Sequence, residues 1–448
     1  MHTWRNWGRN VTCRPARLAH PRSANEVAFE TQRAAVTGVP LRVAGSGHSF
    51  SGIAATDGHL LLLDRMNRVL DVDRAAGLVR VEPGITFRAL NRELDRHGLA
   101  LRNLGDIDRQ TVAGAVATAT HGTGLGFGSI ASEVESLELV LADASRIELS
   151  ARGGDPEAFR AAVTSLGSLG VTTSITLRCV PAFSLHHSER PVALRDALDS
   201  LERAVRSSDH FELLILPYSQ TAVERTNERV AGRARARGHL RRVWEDVAVD
   251  NVALELVCAT GRAAPAAIPS LNRLTMRSAP RREHSSPSHR TFVTPRRVRF
   301  LEMEYAVPRA HAREAIERVL AEIHGRRLPV NFPIELRFAG PDDSFLSPLS
   351  GRESCFVACH AYRGFAMRPY FEAVEPILAS LDGRPHWGKL HSQTSETLRG
   401  RYPGWGRFAA VRSRLDPAGR FTTPELERLL GPAGVVSAST SRRLGKRV

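Results

Sequence analysis

The chain has 448 residues, of which 42% are hydrophobic and 24% charged, a balance typical of a globular protein with two or three domains. No apolar run reaches the roughly 18 residues of a membrane-spanning helix and the N-terminal residues do not resemble a signal peptide. We therefore expect a cytoplasmic protein without integral membrane contact. Its five cysteines lack the spacing of a disulfide framework or a zinc site, so we predict no metal.

The net charge of +15 raises the alternative of a basic nucleic-acid-binding protein. Basic residues concentrate in 225–242, in 277–299 and after residue 441, with few aromatic residues among them to stack on bases. No helix-turn-helix, zinc-finger or RNP-type motif accompanies them. Nucleic acid is therefore not an expected partner. The sequence leaves the oligomeric state open.

The first elements are marked by capping residues. Ser23 and Glu26 form a capping box that predicts a helix from Ala24 to Thr37, which ends at Gly38, before the strand Leu41–Ala44. Short strands follow at His59–Leu63, Val69–Asp73 and Leu78–Glu82, and Thr86 caps a second helix that ends at His97. This order predicts an α+β subdomain rather than a doubly wound sheet.

The stretch 41–50, LRVAGSGHSF, places glycines on both sides of a serine directly after a strand. Gly45 and Gly47 allow backbone N–H groups to converge on an anion such as a diphosphate, and His48 follows on the loop. The stretch is not the Rossmann fingerprint, because Phe50 occupies the third glycine position and no helix follows. A tight turn with a solvated histidine is the alternative interpretation.

Small residues dominate the segment 103–128, NLGDIDRQTVAGAVATATHGTGLGFG. Without bulky side chains a flat aromatic ligand such as a flavin can lie against the backbone. Close packing of a helix on a sheet is the alternative.

The first half of the chain closes with a predicted hairpin of Glu133–Ala142 and Arg146–Leu149, a helix that starts at Pro156 and the strand Thr173–Val180. The second half alternates strand-like and helix-like segments, which indicates an antiparallel sheet backed by helices on one side. The predicted strands are Phe211–Leu216, Val252–Val257, Phe300–Val307, Ile334–Phe338 and Cys355–Cys359, and the predicted helices are Ala310–Ile323, Pro369–Leu381 and one that begins at Pro424 and ends at Gly431.

In this order and spacing, LRVAGSGHSF, VAGAVATATHGTG and LGSLGVTTSITLRCVPAF resemble the FAD domain of the vanillyl-alcohol-oxidase superfamily. FLEMEYAVPR, PIELRFAGPDDSFLSP, RPHWGK and LDPAGRF in the second half resemble its aldonolactone oxidase group, to which alditol oxidases are close. The resemblance implies a two-subdomain FAD-binding domain over 1–181 and a substrate domain over 182–382. A segment over 383–433 would return to the flavin site, and 434–448 would form a disordered basic tail.

The resemblance also implies FAD, joined covalently through its 8α position to His48, with His121 as the rival attachment site. The other cofactor-binding residues it implies are Val43, Ala44, Gly45, Ser46, Gly47, Ser49, Thr111, Gly114, Ala117, Thr118, His121, Gly122, Ile175 and Lys389.

Glu335 and Arg337 lie two residues apart in a predicted strand, so their side chains share a face. Facing outward they would be a solvated ion pair of little consequence. Facing inward, the carboxylate could accept a substrate hydroxyl proton while the guanidinium holds sugar oxygens. The resemblance favours the inward arrangement.

Apart from Lys446, Lys389 is the only lysine of the chain, which suggests a compact cation beside the flavin. The resemblance makes His360 an active-site residue, and Asp106, Glu302 or Glu304 are candidate substrate contacts. In gulonolactone-type oxidases a glycine at the position of Gly105 leaves oxygen a path to the flavin, so the resemblance favours an oxidase over a dehydrogenase. Asp106 replaces a serine of the alditol oxidases, which favours a lactone over an open-chain polyol.

The expected function is oxidation of L-gulono-1,4-lactone or D-arabinono-1,4-lactone, with hydride transfer from a secondary alcohol carbon to flavin N5 and reoxidation by O2 to H2O2. An alditol oxidase acting on xylitol or sorbitol, and a lactone dehydrogenase using another acceptor, remain alternatives.

Overall fold

The computed structural model describes residues 2–231, 234, 251–294 and 298–434. The predicted tail from residue 435 onward and most of the arginine-rich stretch after residue 231 lie outside the described residues. None of the described helices combines the length and the apolar character that crossing a bilayer requires.

Helices occur in both halves of the chain and confirm the predicted α+β class. Ser23 caps the first helix by accepting from the amide of Glu26, and Gly38 ends that helix with a φ of 70°. The helices span Ala24–Thr37, Phe87–Arg96, Val112–Ala117, Pro156–Val163, Leu194–Asp199, Leu201–Ser207, Leu254–Ala263, Ile268–Arg277, Ser288–Thr291, Ala312–Gly325, Met367–Ser380, Ser395–Leu398, Trp405–Leu415 and Pro424–Leu430.

Two sheets in the first half carry the strands that were predicted there. A parallel three-stranded sheet has the order β3-β5-β4, and an antiparallel five-stranded sheet has the order β10-β9-β11-β7-β6. These strands are β3 (Arg17–Ala19), β4 (Leu41–Ala44), β5 (His59–Leu62), β6 (Val69–Asp73), β7 (Leu78–Val81), β9 (Val134–Val140), β10 (Arg146–Ser150) and β11 (Val171–Arg178), beside the short pairs of β1 (Trp4–Arg5) with β2 (Thr12–Cys13) and of β8 (Leu99–Ala100) with β12 (Val180–Pro181).

The second half is built on one antiparallel eight-stranded sheet, in the order β16-β13-β15-β14-β18-β19-β17-β20. The helices Ala312–Gly325 and Met367–Ser380 share a hydrophobic core with this sheet, as predicted. The strands are β13 (Ser184–Ala193), β14 (His210–Ile215), β15 (Thr221–Val230), β16 (Arg282–Pro287), β17 (Phe300–Pro308), β18 (Ile334–Ala339), β19 (Ser354–Tyr362) and β20 (Arg384–Pro385).

The strand predicted at Val252–Val257 is wrong, because the helix Leu254–Ala263 occupies that stretch. Alanine, leucine and glutamate favour a helix. Gly261 allows this helix to pack closely against Asn331, because a Cβ at Gly261 would lie 2.4 Å from the side-chain nitrogen Nδ2 of Asn331. Conversely, β13 and β15 were not predicted, because their sequences are polar and lack the apolar pattern of a strand. Their charges pair across the strands, with Arg225 Nε 2.7 Å from Glu189 Oε2.

Arg42 on β4 joins distant parts of the fold. Its buried guanidinium donates to the carbonyl oxygens of Ile53, Leu166, Gly167 and Phe421 at 2.6–2.9 Å. Burial lowers the pKa of Arg42 to about 9, which leaves it charged at neutral pH. The glycine loop, the first domain and the C-terminal segment are thereby tied to one cation.

We expect Arg42→Met to lower the free energy of unfolding by at least about 3 kcal/mol, because buried carbonyl groups lose their donors. Urea denaturation measures the change. Arg195→Met is the control: that side chain is 88% exposed, so a change within about 0.5 kcal/mol is expected. Equal effects of the two substitutions would contradict the joining role.

Candidate functional site

A cavity with a volume of about 480 Å³, here the large cavity, lies along the glycine loop. This volume is in the usual range for small-molecule and cofactor sites. Its walls contain most of the residues predicted to bind a cofactor: Val43, Ala44, Gly45, Ser46, Gly47, His48, Ser49, Thr111, Gly114, Ala117 and Thr118.

The glycine loop can receive an anion. No described backbone acceptor pairs with the amides of Ser46, Gly47 or His48. Gly47 has a φ of 71°, and a Cβ on Gly45 would lie 2.2 Å from the hydroxyl of Thr111. The loop therefore presents free N–H groups and close backbone approach, as a diphosphate requires. These features fit FAD.

His48 lies on the wall of the large cavity and stacks on Trp7, with ring centroids 5.5 Å apart. Burial lowers the pKa of His48 to about 4, and Lys389 and Arg109 add to the effect. The imidazole is therefore neutral at neutral pH and keeps a nucleophilic ring nitrogen.

A second space, here the charged cavity, has a volume of about 50 Å³, and Gln110 lines both it and the large cavity. Strands β17, β18 and β19 bring most of its charged side chains together, because they are neighbours in the sheet. The charged and imidazole side chains around it are Asp106, His121, Glu302, Glu304, Glu335, Arg337, His360, His386 and Lys389.

Arg337 is the central cation of the charged cavity. Its Nη2 lies 2.7 Å from Glu335 Oε2 and 3.2 Å from Asp106 Oδ2, while Nε lies 3.2 Å from Glu212 Oε1. Burial lowers its pKa, but these carboxylates outweigh burial and hold the pKa of Arg337 well above its usual value. Glu335 and Arg337 are 4% and 8% exposed, so both face inward.

Lys389 is the second cation. Its ammonium donates a short hydrogen bond to Glu302, and Nζ lies 3.9 Å from Glu304 Oε2. Burial by itself would lower the pKa of Lys389, but the nearby carboxylates of Glu302 and Glu304 outweigh burial and raise that pKa above its usual value. The ammonium therefore carries a permanent charge beside the cavity.

Glu304 lies between Lys389 and two histidines. Burial raises its pKa, but His121 and Lys389 outweigh burial and hold the pKa of Glu304 well below its usual range. His121 Nε2 is 3.3 Å from Glu304 Oε1, while Nδ1 donates to the carbonyl of Gly122 at 2.8 Å. The carboxylate is therefore ionised and paired.

Potential ligand atoms of His121, Glu304 and His386 lie within 4.8 Å of one another, a spacing that could also hold a metal ion. His386 Nδ1 accepts from the amide of Gly388 at 3.0 Å, and burial lowers the pKa of His386 to about 3, so its proton lies on Nε2. A protonated Nε2 cannot ligate a metal, and Lys389 already balances the carboxylate. We assign the cluster as a hydrogen-bonded charge network.

His360 completes the wall of the charged cavity. Its Nδ1 donates to the carbonyl of Pro333 at 2.9 Å, which directs Nε2 toward Glu302 Oε1 at 3.7 Å. Phe300 and Phe332 pack around the ring, with centroids 5.0 and 5.3 Å away.

The C-terminal segment returns to this site. The amide of Phe50 donates to Gly388 at 2.7 Å, and the hydroxyl of Ser51 donates to Trp387 at 2.8 Å. These bonds hold the turn before Lys389 against the loop that follows His48.

Some candidate residues lie elsewhere. Ile175 is in the hydrophobic core on β11, and the large cavity is lined nearby by Gly170 and Thr172 instead. Gly122 lines neither cavity, and a Cβ there would lie 2.4 Å from the side-chain oxygen of Asn103. Their proposed cofactor contacts stay predictions.

Sequence reasoning missed Gln110, Arg42 and the cavity role of His386. Gln110 directly precedes Thr111, the N-cap of the small-residue helix Val112–Ala117, and this position could have indicated that Gln110 lies beside the cofactor-binding residues. His386 belongs to the RPHWGK motif, but only the tertiary structure shows that it approaches Glu304.

Comparison with protein families identifies two matches. The D-arabinono-1,4-lactone oxidase family model matches residues 175–429, and the FAD binding domain model matches residues 15–150.

Several relatives match almost the whole chain, among them the following three. L-gulono-1,4-lactone dehydrogenase of Mycobacterium tuberculosis is 45% identical over 96% of this chain and 99% of the relative. Alditol oxidase of a Streptomyces species is 34% identical, and L-gulonolactone oxidase of Mus musculus 33%, each over 95% of this chain and 98% of the relative.

Among solved structures, cholesterol oxidase from Brevibacterium sterolicum superimposes with a TM-score of 0.78 at 17% identity, over 96% of both chains. This likeness confirms the fold that was predicted for the FAD-binding and substrate halves.

We expect Arg337→Met to destabilise the protein by about 3–5 kcal/mol, because Asp106, Glu212 and Glu335 lose their shared counter-charge. Adding Glu212→Gln should recover part of the loss, which a double-mutant cycle in urea measures. The control Arg368→Met removes an ion pair of 85% and 62% exposed side chains and should cost less than about 1 kcal/mol. Strict additivity of the two cavity substitutions would contradict the shared role.

Proposed function

Since this chain belongs to the D-arabinono-1,4-lactone oxidase family of FAD-dependent oxidoreductases, we propose that it oxidises L-gulono-1,4-lactone or D-arabinono-1,4-lactone at a secondary alcohol carbon and passes the electrons to O2, giving H2O2. The observation that carries this proposal is the charged cavity, which adjoins the large cavity at Gln110. A neutral, oxygen-rich lactone suits a small space rich in hydrogen-bonding charges.

FAD would lie in the large cavity, with its diphosphate on the amides that follow Gly45 and its ring toward Gln110. Bound FAD supplies a hydride acceptor at N5. The small side chains of Gly114 and Ala117 leave room for the cofactor along the wall.

The residues of the charged cavity divide the remaining work. Arg337 Nη2 lies 2.7 Å from Glu335, whose carboxylate would accept the proton of the substrate hydroxyl, and the guanidinium would orient the sugar oxygens. Lys389 provides a fixed positive charge at the edge of the cavity, where negative charge develops during the reaction. Glu302, Asp106 and His360 contact the lactone ring and its hydroxyl groups.

We assign 1–181 to cofactor binding, 182–382 to the substrate and 383–433 to the segment that returns Lys389 to the site. The family matches at 15–150 and 175–429 support this division in outline, since the change from one to the other falls between residues 150 and 175, shortly before Pro181.

A lactone dehydrogenase that uses another acceptor is the second candidate function. The relative from Mycobacterium tuberculosis, which carries the name L-gulono-1,4-lactone dehydrogenase at 45% identity, favours it. The Streptomyces alditol oxidase makes polyols the alternative substrates. Asp106 pairs with Arg337 and replaces the serine of the alditol oxidases, and this difference favours a lactone over a polyol.

We propose that His48 carries FAD covalently. Its position on the wall of the large cavity and its neutral imidazole support the assignment. In wild-type protein, acid precipitation should leave the yellow colour in the pellet, and in His48→Ala the flavin should move to the supernatant. His121→Ala is the control and should keep the pellet yellow. Flavin that stays bound in His48→Ala but is released in His121→Ala would contradict the assignment.

The substrate proposal is tested with L-gulono-1,4-lactone, D-arabinono-1,4-lactone, xylitol and sorbitol, by measuring peroxide and, separately, ferricyanide reduction. We expect peroxide with the lactones, and a kcat/KM at least about ten-fold above that of the polyols. Glu335→Gln should lower kcat by about 10²–10⁴-fold, whereas Glu148→Gln, an exposed carboxylate on β10, should not. Ferricyanide reduction without peroxide would support the dehydrogenase, and faster turnover of polyols would support the alditol oxidase.

A further inference from the structure

A third described space, here the apolar cavity, lies behind His360 and has a volume of about 90 Å³. Leu328 and Val330 line it from the chain before β18, and Phe365 and Met367 line it from the start of the helix Met367–Ser380. Val330 and His360 at its inner end are each 4% exposed, whereas Ala366 and Pro369 at its rim are exposed. The apolar cavity therefore extends from the surface toward the active site.

Most polar side chains around the apolar cavity have partners; the exception is Tyr370, whose buried hydroxyl has no hydrogen-bond partner among the described residues. The amide of Asn331 donates to the carbonyl of Cys258 at 3.2 Å, and the hydroxyl of Tyr362 donates to Glu255 Oε1 at 2.5 Å. His360 Nδ1 donates to Pro333. Few groups remain to hold water, and apolar cavities of about 150 Å³ in other proteins stay dry and take up xenon or benzene.

His360 separates the apolar cavity from the charged cavity, and among the residues described around them it alone lines both. One hydrogen bond, to Pro333, and the rings of Phe300 and Phe332 hold the imidazole in place. The two spaces therefore meet at this one side chain.

We propose that the apolar cavity is the binding and entry site for dioxygen, with His360 as its inner gate; this inference rests on the proposed oxidase function. O2 is uncharged and apolar, so it partitions into apolar surroundings, whereas the charged cavity favours the polar lactone. O2 that passes His360 would enter the charged cavity, which adjoins the large cavity at Gln110. Overall, the substrate CH–OH loses two electrons and two protons to become C=O, and O2 takes up both to become H2O2.

Xenon tests the site without turnover. Methyl NMR spectra of the full-length protein under xenon pressure should show shifts at Leu328, Val330 and Met367, and Ala366→Trp, which closes the rim, should abolish them. Ala75→Trp, at an exposed turn of the first domain, is the matched control and should leave them unchanged. Wild-type protein without xenon-induced shifts at these methyl groups would overturn the proposal.

Kinetics test the entry role. With one lactone, Ala366→Trp should lower kcat/KM for O2 on the order of ten-fold, as a blocked encounter path lowers an association rate constant, while ferricyanide reduction stays unchanged. Met367→Ala, which widens the passage, should raise kcat/KM for O2.

The outcomes separate this proposal from the proposed function. Lactone oxidation that is absent with both acceptors, in a protein that binds xenon at Val330, would refute the lactone function and leave the apolar site established. An unchanged kcat/KM for O2 in Ala366→Trp, together with a loss in Gly105→Ala, would overturn the entry route in favour of Gly105. A Cβ at Gly105 would lie 3.1 Å from the carbonyl of His121, so that passage is narrow.

Discussion

The charged cavity depends on mutual neutralisation of buried charges. Arg337 pairs with Asp106, Glu212 and Glu335, while Lys389 pairs with Glu302 and Glu304. A buried charge is costly unless a counter-charge and hydrogen bonds accompany it, so no member of this set is stable alone. The arrangement therefore requires three parts of the chain to meet: the segment before the small-residue helix, the large antiparallel sheet and the C-terminal turn.

The same assembly joins the two halves of the fold. Bonds from Phe50 and Ser51 to the Trp387–Gly388 turn, and from Arg42 to Phe421, hold the C-terminal segment against the glycine loop. Lys389 is thereby fixed on the wall of the charged cavity, which adjoins the large cavity at Gln110. This placement is what a cofactor-dependent oxidation needs, because donor carbon and acceptor ring must be held in contact.

The choice of electron acceptor is a separate property of the structure. The charged cavity favours polar guests, and the apolar cavity behind His360 offers an uncharged path to the same place. Of the three relatives described above, two are named as oxidases and one as a dehydrogenase, although all three match this chain over nearly their whole length. Access for O2, rather than the hydride-accepting site, is a physical feature in which such enzymes can differ.

The sequence alone determined the α+β class, most strands and the glycine loop, because capping residues and strand periodicity are local properties of neighbouring residues. It also placed Glu335 and Arg337 on one face of a strand. It failed at Val252–Val257, where helix propensity and the contact of Gly261 with Asn331 prevail, and at β13 and β15, whose charges are paired only across strands. Only the tertiary structure decided three further features: the burial of β18, the proximity of His386 to Glu304, and the position of His360 between the charged and the apolar cavity. Each of them depends on contacts between residues far apart in the chain.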